Sequence, residues 1–173
     1  MSEMIFVVDI SKCIACQKCE IACAAHHVGE MNAARARIAV FPRPSLKEGE
    51  AAGTPVTCLQ CDDAGCVRVC PVGALARNPK TGAIEVDHAK CVRCKMCVAG
   101  CPFGNMRWDE ELRQVAKCDL CSGLPQCALA CPTGALRYRP ASELARPCRV
   151  DPPRTAVRNA AQAPTTPDQA SLQ

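Results

Sequence analysis

One short run of cysteines limits the possible folds of this chain more than any other feature. It spans residues 91–102 and reads CVRCKMCVAGCP. In this C-x2-C-x2-C-x3-C-P spacing, three thiolates hold one 4Fe–4S cluster, and the fourth thiolate reaches a different cluster. A cysteine that must reach a different cluster implies another run nearby, so the sequence predicts that this run has at least one partner.

The chain contains three more runs of four cysteines, and only Cys148 lies outside the four runs. The other runs are Cys13, Cys16, Cys19 and Cys23; Cys58, Cys61, Cys66 and Cys70; and Cys118, Cys121, Cys127 and Cys131. The short gaps crowd three sulfurs onto one loop, which suits a cluster better than disulfides to distant partners. Structural zinc usually takes two separated pairs of cysteines, so zinc also fits this spacing poorly.

Composition and charge agree with metal-stabilised packing. Only five of the 173 residues are Phe, Trp or Tyr, so large core side chains are scarce. Small domains with a thin apolar core usually need disulfides or metals. The formal charge is +4 with every cysteine counted as neutral. Each cluster with its four thiolates adds about −2, which brings the loaded chain to about −4. We therefore interpret the basic residues as counter-charges for clusters and expect no nucleic-acid partner.

Apolar and turn-forming residues predict short elements between the runs. We expect a strand over residues 4–8, a helical turn over 20–27, a strand over 37–41, a loop over 42–53 and a hairpin over 102–117.

Two internal repeats suggest a duplication. Residues 8–13 and 86–91 both read V-D-x-x-K-C, in which the aspartate is expected to cap a turn. Residues 70–75 read CPVGAL, and residues 131–136 read CPTGAL.

The repeats predict an α+β fold of two bacterial-ferredoxin-like units, in which short hairpins and short helices surround the clusters and one unit is nested inside the other. Residues 58–101 form the inner unit. Residues 1–57 plus 102–139 form the outer unit. From about residue 140, proline and alanine become frequent without apolar periodicity. We expect residues 140–173 to be a tail that is disordered or bound to a partner, with self-association as one possibility.

The rule that the fourth cysteine crosses to the other cluster assigns ligands to four sites. Site 1 is Cys13, Cys16, Cys19 and Cys131; site 2 is Cys118, Cys121, Cys127 and Cys23; site 3 is Cys58, Cys61, Cys66 and Cys101; site 4 is Cys91, Cys94, Cys97 and Cys70. The outer unit holds sites 1 and 2, a pairing that spans the whole inserted unit, and the inner unit holds sites 3 and 4. The x3 gap places the fourth cysteine beyond a helical turn, and Pro71, Pro102 or Pro132 then turns the chain away. Ala24 takes that position after Cys23.

The order of the runs, with KCDLC at residues 117–121 and CPTGAL at 131–136, resembles the four-cluster ferredoxin-type electron-transfer subunits. Such subunits accompany molybdenum or tungsten pterin oxidoreductases, some hydrogenases and carbon monoxide dehydrogenases. The resemblance covers about residues 4–139, and the missing proline after the first run is also usual in that family. It implies four 4Fe–4S clusters that carry single electrons to or from a catalytic subunit.

The resemblance thus implies a non-catalytic iron–sulfur subunit that works beside a tungsten or molybdenum pterin enzyme for aldehydes or formate, and beside a further electron-exchange subunit. Two alternatives stay open. One is a subunit of a hydrogenase or carbon monoxide dehydrogenase complex, and the other is a free-standing polyferredoxin shuttle. All sixteen motif cysteines serve as ligands, so we expect no catalytic residue. His26, His27 and His88 show no acidic partners in the sequence, and we expect them at the surface.

No apolar run reaches the roughly 18 residues of a membrane span, and no export signal precedes Cys13, so we expect an anaerobic cytoplasmic location without a membrane anchor. Six basic residues adjoin ligands: Lys12, Lys18, Lys90, Arg93, Lys95 and Lys117. Each of them either raises a cluster potential by its charge or serves only solubility, and the sequence leaves both interpretations open.

Overall fold

The structure, a computed structural model, describes residues 4–45 and 49–143. Its helices and strands are β1 (Met4–Val8), α1 (Lys18–Val28), β2 (Ile38–Arg43), β3 (Ala52–Thr57), α2 (Gly65–Arg68), β4 (Leu75–Arg77), β5 (Ile84–Val86), α3 (Met96–Ala99), β6 (Arg107–Asp109), β7 (Gln114–Ala116), α4 (Gln126–Leu129) and β8 (Leu136–Pro140). This mixture of helices and strands confirms the α+β class. Cys148 and most of the predicted tail lie outside the described residues. Within the described ranges, no helix is long and apolar enough to cross a bilayer.

The strands form four antiparallel ribbons of two strands each within the described part of the chain. Three ribbons join neighbours in sequence, namely β2 with β3, β4 with β5, and β6 with β7. The fourth ribbon pairs β1 with β8, so that Met4 lies opposite Pro140 and Val8 opposite Leu136. The first and last strands therefore meet, and the other three ribbons lie between them in sequence.

Four of the predicted elements are confirmed, and one is wrong. The helical turn over 20–27 lies within α1, and the strand over 37–41 is β2. The strand over 4–8 is β1, and the hairpin over 102–117 is β6–β7. The loop expected over 42–53 is instead partly strand, because β2 continues through Pro42 to Arg43 and β3 begins at Ala52. Pro42 lies opposite Gly53. A two-stranded ribbon consists of two edge strands, where a proline is tolerated because one side of the strand needs no N–H donor.

The helices follow the cysteine spacing closely. Each helix has the third cysteine of a run as its second residue, and these cysteines are Cys19, Cys66, Cys97 and Cys127. Helices α2, α3 and α4 are single turns of four residues, and the fourth cysteine with its proline follows each of them. Since proline has no N–H to donate, these helices cannot continue. Helix α1 runs for eleven residues instead, because Ala24 replaces the proline, and Gly29 ends it with a φ of 74°.

Buried side chains form two separate groups. The first contains Cys19, Cys23, Ala24, Ala36, Ile38, Val40, Cys127 and Leu136, and the second contains Ala64, Leu75, Ile84, Cys97, Met106 and Val115. The helices pair in the same way, because α1 packs against α4 and α2 packs against α3. Cysteines therefore belong to both cores, and each core lies directly beside candidate metal ligands.

Two ion pairs hold the segment before β2 in place. The guanidinium of Arg35 binds the carboxylate of Asp109 at the start of the β6–β7 turn, with 3.0 Å between Nη2 and Oδ2. Both side chains are at most 10% exposed. The Arg37 guanidinium binds Asp119 at 3.0 Å. The first pair attaches the segment before β2 to the end of β6, and the second attaches it to the run that begins at Cys118.

Candidate metal centres

Each cysteine run contains a left-handed residue at the same place. The residue before the second cysteine is Ala15, Gln60, Arg93 or Leu120, with φ values of 52°, 51°, 62° and 56°. Non-glycine residues in this region cost about 1–3 kcal/mol each, and such strain collects at functional sites. Left-handed residues in tight loops help to turn successive N–H groups toward one anion. The shared conformation indicates that all four loops are shaped for the same kind of ligand.

The structure brings together the four cysteines predicted for site 1. Cys13, Cys16, Cys19 and Cys131 line one pocket, whose apolar walls include Val40. Burial, with a smaller contribution from the charge of Glu20, raises the pKa of the Cys19 thiol to about 12. A metal at this pocket must therefore displace a firmly held proton, which thiophilic metals do.

The four cysteines predicted for site 3 also line one pocket. They are Cys58, Cys61, Cys66 and Cys101, and the pocket wall includes Met106 and Lys117. Burial raises the pKa of Cys66, and the neighbouring charges of Cys58 and Cys101 raise it further.

At site 2, mutual electrostatic effects show the predicted cysteines to be neighbours. Burial raises the pKa of Cys23 to about 11, and the charges of Cys118 and Cys121 contribute to this rise. Burial also raises the pKa of Cys127, to which Cys118, Cys23 and Cys121 contribute. Cys23 and Cys127 also belong to the same buried group, on the packed helices α1 and α4.

At site 4, three predicted cysteines act on one another, and the fourth packs against the inner buried group that the cysteines of site 3 also contact. Burial raises the pKa of Cys97, and the charges of Cys91 and Cys94 add to it. Cys70 packs against the same buried group of side chains as Cys91 and Cys97.

Backbone N–H groups point at the fourth cysteine of several runs. The Ala74 N–H donates to Cys70 Sγ at 3.2 Å, and the Asn105 N–H donates to Cys101 Sγ at 3.3 Å. The Arg37 N–H donates to Cys23 Sγ at 3.2 Å. At Cys70, burial alone would raise the pKa, but backbone N–H groups outweigh it and the pKa is lowered. These donors favour the thiolate, which is the form that binds metal.

The sites are adjacent in the order in which they are numbered. Helix α1, which carries Cys19 of site 1, packs against α4, which carries Cys127 of site 2. The residue before Cys61 of site 3, Gln60, donates from Nε2 to the carbonyl of Cys118 of site 2 at 2.9 Å. Sites 3 and 4 draw their cysteines from the adjoining helices α2 and α3. The chain therefore presents a continuous series of four thiol groups.

His27 was expected at the surface, and this prediction is wrong. Its side chain is only 8% exposed, with Nε2 3.5 Å from Asp119 Oδ1 and 3.7 Å from Cys121 Sγ. Burial lowers the pKa of His27 to about 4, so the ring is neutral at pH 7. The helical spacing could have indicated this contact, because His27 lies four residues after Cys23 on the same face of α1. Ligand atoms of His26, His27 and Cys121 lie within 4.8 Å of one another, but this group shares Cys121 with site 2.

The donor chemistry fits iron–sulfur clusters. All sixteen cysteines within the described residues are free thiols, and none forms a disulfide there. Sets of four thiolates select either zinc or iron–sulfur clusters. Crossed sets, in which the last cysteine of one run joins three cysteines of another, are the arrangement of two-cluster ferredoxins.

Comparison with known proteins gives the same chemistry. A profile described as a 4Fe-4S dicluster domain matches residues 50–141, and a 4Fe-4S binding domain matches residues 10–26. NADH-dependent phenylglyoxylate dehydrogenase subunit beta from Aromatoleum evansii is 43% identical over 75% of this chain and 29% of its own length. Electron transport protein HydN from Escherichia coli K12 is 36% identical over 75% of this chain and 84% of its own. The polyferredoxin-like subunit of aliphatic sulfonate oxidoreductase from Pyrococcus furiosus is 40% identical over 69% of this chain and 66% of its own.

Proposed function

The chain belongs to the 4Fe-4S dicluster domain family, and from that membership we propose that it is a non-catalytic subunit that relays single electrons to or from a catalytic oxidoreductase subunit. The observation that carries the proposal is that sixteen free thiols are available and that two predicted sets of four, at sites 1 and 3, each line one pocket. A bound cluster supplies a one-electron redox couple. The chain supplies the thiolates, the N–H donors and the apolar walls that limit the access of water.

We propose the crossed ligand sets of sites 1 to 4 for these clusters. The pockets at sites 1 and 3 support the crossing directly, because Cys131 and Cys101 lie with cysteines far away in sequence. The neighbours of Cys23 support it at site 2. For site 4, the assignment of Cys70 rests on the ferredoxin rule, since Cys70 contacts the inner buried group together with cysteines of both site 3 and site 4.

The nested arrangement of two units is part of the same proposal. Its supports are the β1–β8 ribbon, the separate pairing of α1 with α4 and of α2 with α3, and the two separate buried groups. Met106 and Val115 pack in the inner group, although they lie in the segment 102–139 assigned to the outer unit. The boundary at residue 102 therefore divides the ligand sets more cleanly than it divides the cores.

For the catalytic partner, we propose a tungsten or molybdenum pterin enzyme that acts on an aldehyde or formate, with a second subunit for electron exchange. The relatives named as subunits of dehydrogenases and oxidoreductases support an enzyme partner in general. A free-standing shuttle is a second candidate, because HydN, which this chain matches over 84% of its length, is named only as an electron transport protein. The cytoplasmic location and self-association of the tail stay predictions.

The metal content of the natively purified complex tests this proposal. We expect about 16 Fe per chain, from four clusters of four irons, together with W or Mo from the partner. Anaerobic purification followed by joint analysis for Fe, W, Mo, Ni and Zn makes the measurement. Nickel in the complex would indicate a hydrogenase or carbon monoxide dehydrogenase partner in place of the pterin enzyme. Iron on an isolated chain would favour the free-standing shuttle. Zinc without iron, even after reconstitution with iron and sulfide, would contradict the electron-transfer function.

The proposed site 1 has its own test at Gly53. A methyl group at this position would lie 2.7 Å from Val40 Cγ1, 3.2 Å from Ala15 Cβ and 3.3 Å from Cys13 Sγ. Because the Gly53 N–H also donates to the Cys13 carbonyl at 3.2 Å, the strand cannot retreat without moving the loop. We expect Gly53→Ala to displace Cys13 and to lose about 4 Fe per chain, measured by iron analysis and electron paramagnetic resonance. Full iron content in this variant would contradict the assignment of Cys13.

A further inference from the structure

Three lysines immediately precede the first cysteine of a run, and two of them are exposed. Lys12 Nζ pairs with Asp9 Oδ2 at 2.9 Å, and Lys90 Nζ pairs with Asp87 Oδ2 at 3.2 Å. Their side chains are 48% and 66% exposed. In both cases, the aspartate of the V-D-x-x-K-C repeat lies three residues earlier and neutralises the lysine in solvent.

The third lysine, Lys117, differs in both sequence and placement. The residue three positions earlier is Gln114, so the lysine lacks the aspartate of the repeat. Lys117 follows strand β7, and alternation along the strand puts it on the same inward face as Val115. Val115 is 1% exposed, and Lys117 is 4% exposed.

The contacts of Lys117 are neutral groups. Its Nζ donates to Gln60 Oε1 at 2.9 Å and to the Cys118 carbonyl at 2.8 Å. Gln60 Nε2 donates to the same carbonyl at 2.9 Å, and Gln60 Oε1 also accepts from the Ile84 N–H at 2.9 Å. Throughout residues 4–45 and 49–143, no carboxylate lies within ion-pair distance of this ammonium.

The ammonium lies where site 2 and site 3 meet. Lys117 lines the pocket formed by the cysteines of site 3, and it binds the backbone of Cys118, which belongs to site 2. Burial raises the pKa of both Cys66 and Cys118, and the charge of Lys117 opposes that rise at each of them. One buried cation therefore acts on one cysteine from each site.

An isolated buried charge is costly unless opposite charge compensates it. Neutral amide and carbonyl oxygens accept two hydrogen bonds from the three N–H donors of Lys117, but they do not supply a negative charge. Each cluster with its four thiolates carries about −2 when oxidised and gains one more negative charge on reduction. The compensating charge is then the pair of clusters on either side of the ammonium.

We propose that the buried charge of Lys117 raises the reduction potentials of the clusters at sites 2 and 3 together. This inference rests on the ligand sets proposed above. Each reduction adds one electron to one cluster, and no bond or proton changes. The positive charge stabilises the reduced form more than the oxidised form, so the two central sites of the series hold an electron more readily than they would without Lys117.

The test is a redox titration of the full chain with all its clusters, followed by electron paramagnetic resonance, for wild type, Lys117→Gln and Lys90→Gln. We expect two of the four reduction potentials to fall in Lys117→Gln. The equilibrium constant for reduction of each of these clusters should fall at least about tenfold, which is about 59 mV for one electron. Lys90→Gln is the matched control, because it removes a lysine from the same position beside Cys91, and it should leave all four potentials unchanged.

A second variant separates charge from folding. Gln60→Glu keeps Lys117 in place and sets a carboxylate beside its Nζ, which neutralises the charge with nearly the same side-chain volume, although the hydrogen bond from Gln60 Nε2 to the Cys118 carbonyl is lost. The same two potentials should fall, and this variant decides the question if Lys117→Gln fails to bind iron. The inference is overturned if the potentials stay unchanged in both loaded variants, or if all four fall equally. If the Lys117 inference fails but the wild-type chain holds about 16 Fe, the proposed electron-transfer function stands. A wild-type chain without iron would overturn both the inference and the proposed function.

Discussion

Cys101→Ala is expected to damage the cluster at site 3 while the cluster at site 4 survives. In sequence, Cys101 belongs to the run that supplies site 4, and it follows helix α3, which carries Cys97. In space, it lines a pocket with Cys58, Cys61 and Cys66, and the Asn105 N–H points at its sulfur. Removing one of four thiolates leaves an iron without its protein ligand. We expect a loss of up to about 4 Fe per chain and the disappearance of one paramagnetic signal.

Two further variants identify which signal is lost. The spectrum of Cys101→Ala should lack the same signal as Cys58→Ala and should keep the signal that Cys91→Ala removes. Cys70→Ala is the reciprocal control, because it should behave like Cys91→Ala although it lies in the run of Cys58. If Cys101→Ala instead matches Cys91→Ala, each run holds its own cluster and the crossed ligand sets are wrong.

Much of the candidate site was predictable because the decisive information is local. The gap of three residues between Cys97 and Cys101 is one helical turn, and the structure has a turn of helix there. Pro102 predicts the end of that helix, and Ala24 in the first run allows α1 to continue to Val28. Short-range geometry of this kind depends on neighbours in sequence, so one sequence is enough to predict it.

Features that depend on distant parts of the chain were not predictable in the same way. Lys90 and Lys117 both precede a cysteine, yet one lies in solvent and the other in the interior. The difference arises because Lys117 directly follows β7 and lies on the same inward face as Val115. Only the packing of that strand against the rest of the chain determines which face points inward. Turn-forming residues around Pro42 and Gly53 predicted a loop, but pairing between β2 and β3 outweighs this local preference.

A comparable distant contact holds the two inner helices at a fixed spacing. Gly65 begins α2, and a methyl group on it would lie 2.9 Å from the carbonyl oxygen of Gly100 at the end of α3. A backbone oxygen cannot rotate away as the end of a flexible side chain can. The two helices must therefore separate if Gly65 gains a side chain, and the carbonyl that opposes it belongs to the residue just before Cys101.

Gly65→Ala is accordingly expected to lose sites 3 and 4 together. Each inner helix serves both sites, because α2 carries Cys66 and precedes Cys70, while α3 carries Cys97 and precedes Cys101. Separation of the helices thus disturbs both ligand sets. We expect overpacking to cost about 1–3 kcal/mol. We also expect iron analysis to show a loss of about 8 Fe per chain, with the signals of sites 1 and 2 retained.

Whether Gly65→Ala lowers or raises the free energy of unfolding distinguishes close packing from backbone preference. Gly65 is not among the residues with positive φ, so alanine fits its backbone and by itself would stabilise the fold by about 0.4–1 kcal/mol. Gly82→Ala is the control in which the backbone conformation, and not packing, opposes the added methyl group. Its φ is 72°, nothing lies within 4 Å of the added methyl group, and strain of about 1–2 kcal/mol should leave all iron bound. A stabilised Gly65→Ala with full iron content would show that α2 and α3 are free to separate, and loss of iron from all four sites would contradict two units that hold their clusters independently.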